Sequence, residues 1–392
     1  MSESQTIEIK LAIPPNNTLT NLLICEGLLY LINLSTSSIT VENSTLIIPN
    51  KAFSKAYSEL DDNRIERIKQ LSTVGKNDAP SINLLQEMLN IRHRNKINTY
   101  GELLHILKEH AEVLTNLSNK IDLSSSLRGK DVTIGEIKDT KKEGLTLQLF
   151  KTERYTGLTS TEYNYTNKQL TTYLSKEAML IALLGIYSSF ITRVSENKKI
   201  YYYFLFISPD EINEVIATKT DTRDRFLIKD QLKDFLEQII RKRFSEELII
   251  AEILVNTRLQ ELLSNQSVEY VSTLLLKVAQ EGNTYKTYEI IPLTVYRRKE
   301  REIFKILNNI IHPDGIILKR LQRNENVEYN NLLSAIYGLY RFVVLDDKQG
   351  LMVMLRELHN AYVKIRNDEK SRYHSRVYYE LIREISNVER LL

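Results

Sequence analysis

Asp131, Glu136 and Lys138 come nearest to a catalytic set in this sequence. An acid followed by an acid-x-lysine pair is how many metal-dependent nucleases hold Mg²⁺ between two carboxylates and set an ammonium against developing charge. The spacing here is shorter than such sites use, and in a chain with 26% charged residues a triple of this kind arises by chance. The histidines offer less. His105 and His110 are five apart and fall on different faces of a helix, no His-Glu-x-x-His occurs, and His93, His312, His359 and His374 stand alone. The glycines are scattered, with neither a Walker loop nor a Gly-x-Gly-x-x-Gly. Cys25 is the one cysteine, which excludes an intrachain disulfide or a thiolate metal cluster. No metal, no cofactor and no enzyme activity are expected.

Lysines and arginines supply the remaining chemistry. Eight of them lie between Arg297 and Arg323, against three acids, and Tyr296 stands directly before this run. Arg297, Arg298, Lys299, Arg301, Lys319, Arg320 and Arg323 are therefore candidates for contact with a phosphate backbone, where cationic side chains release condensed counterions. Lys141, Lys142, Lys151 and Arg154, in a polar stretch, form a second candidate set. Any one such cluster, taken alone, equally well solvates a helix face. With a net charge of +3, a basic surface on this chain has to be local.

The element that must organise these residues lies between Lys176 and Ser208. Ala178 to Thr192 is a run of fifteen uncharged residues, followed by a charged turn at 195–199 and by Ile200 to Ile207, which is aromatic and β-branched throughout. The pattern predicts a buried helix, then a central strand covered on both faces. Ser208 and Pro209 signal a new helix. The uncharged run is shorter than the roughly 20 residues needed to cross a bilayer. Met1 to Thr6 has no basic region leading into an apolar stretch, so it is not a signal peptide. The expectation is a soluble cytoplasmic protein.

Before this unit, Thr6 to Ala12 alternates as a strand, Asn17 to Leu34 has helical spacing, and 39–41 and 45–48 suit a hairpin. Asn50 to Ile121 is helical in period, with a helix start at Asn98 and Thr99. Leu145 to Lys151 alternates as a strand. Val268 to Ala279 fits strand and helix equally. From Ile303 onward four amphipathic stripes predict a four-helix bundle. The fold class is α+β: a mixed α/β N-terminal part with a small sheet, then a mainly helical C-terminal bundle. Three consecutive segments follow, 1–144, 145–295 and 296–392.

The layout, with Ala182 to Phe190 leading into the strand Tyr201 to Phe206 and a basic helical C-terminal module, resembles the large subunit of archaeal type I-A CRISPR interference (Cascade) complexes. The resemblance spans most of the chain and rests on hydrophobic motifs. It implies a non-enzymatic subunit that recognises the motif flanking the target and holds guide RNA or the displaced DNA strand. Its partners would be guide RNA, target DNA, the other subunits and a recruited helicase-nuclease. The alternatives are a metal-dependent nuclease built on Asp131, Glu136 and Lys138, and a scaffold that binds protein alone through exposed apolar surface.

Overall fold

The computed structural model describes residues 6–11, 18–34, 40–42, 45–93, 95–129, 131–155, 171–196, 199–209, 223–242, 247–265, 269–282, 284–297, 301–312 and 314–389. The fold is α+β, and the chain forms two compact units, Met1–Phe226 with Thr273–Pro292 and Leu227–Ser272 with Leu293–Leu392.

In the first unit a four-stranded sheet has the order β2-β3-β1-β4. Its strands are β1 (Thr6–Lys10), β2 (Thr40–Glu42), β3 (Thr45–Pro49) and β4 (Lys120–Asp122). β1 runs antiparallel to β3 and parallel to β4. A smaller sheet joins β5 (Ser125–Arg128), β6 (Asp131–Ile134) and β7 (Thr171–Leu174). Helices α2 (Ala52–Ser58), α3 (Asp62–Ile68), α4 (Gly75–Met88) and α5 (Tyr100–Glu109) fill the interval. The helix start read at Thr99 is a full capping box: its hydroxyl accepts from the Glu102 amide, and Glu102 reaches back to the Thr99 amide.

Two helices form the middle of this unit, α1 (Leu19–Leu34) and α6 (Lys176–Ser189), and both are buried around almost their whole circumference. A helix apolar on all sides is stable only when surrounded by protein. The two cross with their backbones in contact. A Cβ on Gly27 would lie 1.9 Å from the Ile181 carbonyl oxygen, and one on Gly185 would lie 1.9 Å from that of Leu23. Glu26, buried beside this crossing, accepts from the Ser188 hydroxyl at 2.6 Å and from the Ile207 amide at 3.0 Å, which ties both helices to the end of the next strand.

That strand is β9 (Lys199–Ile207), paired with β8 (Phe190–Glu196) on one side and β10 (Tyr270–Glu281) on the other, with β11 (Thr284–Tyr296) outermost. The uncharged run read as one helix therefore ends at Ser189; Phe190 to Thr192, aromatic and β-branched, open β8 instead. Of the charged stretch at 195–199, Ser195 and Glu196 end β8 and Lys199 begins β9, and 197–198 lie outside the described residues. Within the ambiguous 268–279 stretch, the residues from Tyr270 onward belong to β10.

Leu145 to Lys151 is not a strand. Leu145 makes an isolated bridge to Leu174, and a 3₁₀ segment covers Gln148–Tyr155. Side chains satisfy the backbone that a partner strand would otherwise satisfy. The Ser81 hydroxyl bonds both the amide and the carbonyl of Thr146, Asp78 accepts from the Gln148 amide at 2.8 Å, and the Thr20 hydroxyl donates to the Phe150 carbonyl.

In the second unit, α8 (Glu247–Asn265), α9 (Arg301–Ile310), α11 (Tyr329–Val343), α12 (Gln349–Asn367) and α13 (Ser375–Glu389) share one apolar core. α10 (Ile316–Leu321) buries Ile317, Leu318 and Leu321 in it, and Ile239 of α7 (Arg223–Lys242) also joins. The bundle is thus larger than the four stripes imply, because α8 enters it from before the β10–β11 hairpin.

Candidate nucleic-acid interface

The sheet β11-β10-β9-β8 has two unlike faces because strand side chains alternate. Tyr202, Phe204 and Phe206, with Leu274, Leu276, Val278 and Tyr285, enter the apolar core of the first unit. The opposite face carries Lys199, Tyr201 and Tyr203 on β9, and pairing sets Lys277 beside Tyr203 and Ala279 beside Tyr201. Tyr203 is buried, whereas Lys199, Tyr201, Lys277 and Lys286 are half-buried and Tyr288 is 45% exposed. The strand read as covered on both sides is therefore open at its Lys199 end.

The side chains there form one connected group. The Tyr201 and Tyr288 rings meet edge to face, centroids 5.5 Å apart at 80°. Lys277 Nζ lies 4.8 Å from the Tyr201 ring centroid and 5.7 Å from that of Tyr203. Lys199 Nζ donates to the Tyr288 hydroxyl at 2.9 Å and lies 5.3 Å from the centroid of the same ring. It also donates to Glu281 Oε1 at 3.2 Å, while Lys286 Nζ reaches Glu281 Oε2 at 2.6 Å. The Tyr288 hydroxyl, then Glu281, hold Lys199 protonated above the ordinary lysine range. Lys286, then Lys199, hold the Glu281 carboxyl below the usual glutamate range. Glu196, opposite Lys199 on β8, also acts on Tyr201, so three ammonium groups stand against two carboxylates and the patch keeps a net positive charge. Aromatic rings held among ammonium groups offer stacking surface and phosphate contacts in one place.

The basic residues singled out from sequence fall elsewhere. Arg297 follows β11; its guanidinium pairs with Glu269, and its amide donates to the Glu269 carbonyl at 2.7 Å. Tyr296 beside it is 66% exposed, its ring tilted against Tyr270. Arg298 and Lys299 lie outside the described residues, as does the side chain of Arg301. Lys319 and Arg323 are exposed at α10 and just beyond it.

Arg320 is engaged otherwise. Its guanidinium makes a two-pronged bond, at 2.5 and 2.9 Å, to Glu328, which is fully buried and also accepts from the Tyr378 hydroxyl. Among the basic residues of the terminal helices, Arg341 bonds Asp347, Arg356 bonds Glu357 and Arg376 bonds Glu380. Lys364, Arg366, Arg372 and Arg383 are exposed.

In the first unit, Lys141 and Lys142 stand exposed on a turn whose backbone is held by Asp139. Lys151 is half-buried and adds a favourable charge to Asp78. The Arg154 side chain is outside the described residues. Asp131 accepts from the Thr140 hydroxyl at 3.5 Å, Glu136 is exposed, and the Lys138 amide donates to Glu143. Among the described residues no group of three His, Cys, Asp or Glu is placed to hold a metal, and no helix is long and apolar enough to cross a membrane.

Sequence reasoning missed Lys277, Lys286 and Tyr288, and took Lys199 as a turn residue. The signal was present in the alternation of Lys199, Tyr201 and Tyr203, and again in Lys286 and Tyr288. Register, which the sequence does not carry, was needed to bring the two series to one face.

No family model matches the sequence. A protein of Archaeoglobus fulgidus described as uncharacterized is 35% identical over 399 aligned residues, spanning 97% of this chain and 100% of its counterpart. Similarity at that level along both full lengths places the two in one family, and this chain belongs to the family of that archaeal protein.

Proposed function

We propose that this chain is a non-catalytic nucleic-acid-binding subunit that holds an unpaired strand on the Lys199, Tyr201, Lys277, Lys286 and Tyr288 face. The observation that carries the reading is the union of a half-exposed tyrosine pair with three lysines on one sheet surface. Aromatic faces stack on any base, and ammonium groups follow the backbone without reading sequence. The resemblance of the central and C-terminal segments to type I-A large subunits supports a place in an RNA-guided interference complex. In such a complex base pairing reads the target, and the protein holds backbone and unpaired nucleotides. A recruited helicase-nuclease would then do the cutting. Exposed Lys141 and Lys142 in the first unit, and Lys319 and Arg323 in the second, would add backbone contacts.

The test is fluorescence anisotropy with labelled single-stranded RNA, single-stranded DNA and duplex DNA over a salt series, with and without Mg²⁺. The reading expects binding to single strands that falls steeply with salt, no cleavage, and roughly tenfold or greater weakening in Tyr288→Ala. Absence of binding to every oligonucleotide at low salt overturns it in favour of a protein-only scaffold. Mg²⁺-dependent cleavage that is lost in Glu136→Ala overturns it in favour of a nuclease.

A further inference from the structure

Among the described residues Glu281 is the one acid shown bonded to the lysines of this patch, and it stands between two of them. One carboxylate oxygen accepts from Lys199 and the other from Lys286, so a single anionic group bridges two ammonium groups. A phosphate diester presents the same pattern, a negative group with two acceptor oxygens facing separate donors. The two ammonium groups share this one bonded carboxylate, and removing it without replacement leaves like charges facing each other.

Glu281 is free to give way. It lies at the end of β10, directly before Gly282, whose φ of +62° turns the chain into β11. Its side chain is 30% exposed, and both of its ion pairs are to lysines 42% exposed, where water readily replaces either partner. Lys199 also bonds the Tyr288 hydroxyl, so an anion taken up by Lys199 is held next to the most exposed ring of the patch.

We propose that Glu281 is a built-in competitor for phosphate. In the free chain its carboxylate occupies the position between Lys199 and Lys286 that a backbone phosphate of a bound single strand takes, and it is displaced when the strand binds. This deepens the reading above and rests on it: the ligand is a phosphodiester strand whose phosphate sits beside a base stacked on Tyr288, and Glu281 sets how tightly it is held. Such a competitor weakens casual binding of short or isolated phosphates. A strand that also gains stacking on the tyrosines outbids the carboxylate.

The experiment compares wild type, Glu281→Gln, Tyr288→Ala, Lys199→Gln/Lys286→Gln, and the triple variant adding Glu281→Gln to that lysine pair. Binding of a fluorescein-labelled single-stranded RNA of about 16 nucleotides, and of the matching DNA, is read by anisotropy over a salt series. Melting temperatures confirm that each variant is folded. Glu281→Gln preserves size and an acceptor while removing the charge. It is expected to tighten binding by roughly three- to tenfold at low salt and to steepen the log–log salt slope by about 0.7. The gain is expected to vanish in the background lacking both lysines, which separates local competition from a general change in protein charge. Unchanged or weaker binding by Glu281→Gln, while Tyr288→Ala still loses affinity, overturns the competitor role and leaves the nucleic-acid reading standing. An equal gain with or without the two lysines also overturns it. Failure of both wild type and Glu281→Gln to bind either strand overturns the underlying reading as well.

Discussion

Single residues in the interior already separate structural groups from working ones. Cys25 lies within α1, where burial, then the neighbouring Glu26, pushes its thiol up to about 12. A thiol is a nucleophile as its thiolate, so Cys25 is expected to resist iodoacetamide at pH 8 in the native protein and to react fully once unfolded. Asp78 is fully buried and accepts from the amides of Val74 and Gln148, at 2.6 and 2.8 Å. Removing its side chain in Asp78→Ala strands both amides and is expected to cost about 2–4 kcal/mol, measured by urea unfolding.

Burial, opposed by those amides and by Lys151, raises the Asp78 pKa. The folded state therefore takes up the proton more readily than the unfolded chain. That contribution is fully present below the ordinary aspartate value and is lost as pH rises through the raised one. Relative to Asp78→Asn, wild type should accordingly gain stability as pH falls across that window. Arg320 and Glu328 form another such group. Glu328→Ala leaves a largely buried guanidinium without its partner and is expected to destabilise the bundle by about 3–5 kcal/mol.

Among elements, the crossing of α1 and α6 positions everything that follows. Their glycines let backbone meet backbone, and Glu26 then fixes the end of β9. Gly185→Ala forces a methyl into the Leu23 carbonyl and is expected to cost about 3 kcal/mol, read as a lowered melting temperature. Much of this architecture was legible in the sequence. The uncharged run at 178–192 announces a buried helix, although its last three residues open β8 instead, Asn98 and Thr99 announce a helix start, and the amphipathic stripes after Ile303 announce a bundle. What was not legible depends on partners distant in the chain. Gln148 is turned from strand geometry by Asp78, seventy residues earlier. Lys199, Lys277 and Lys286 converge through the register of β9 with β10 and the place of β11 beside them, and no local pattern specifies that pairing. The basic run from Arg297, conspicuous in sequence, is partly spent on Glu269 and Glu328.

At the level of the whole molecule, positive charge is not spread widely: the net charge is +3. Binding to nucleic acid must then come from a patch where charge and aromatic surface coincide, and the open end of the β8–β11 sheet brings the two together in one connected group. Photo-crosslinking measures this most directly. A single-stranded RNA carrying 4-thiouridine is irradiated with the full chain, and the crosslinked peptides are mapped by mass spectrometry. The account predicts adducts on the peptides containing Tyr201 and Tyr288, reduced in Tyr288→Ala and by added salt. Adducts confined to the exposed Lys319 and Arg323 segment, with none on the sheet, would contradict it.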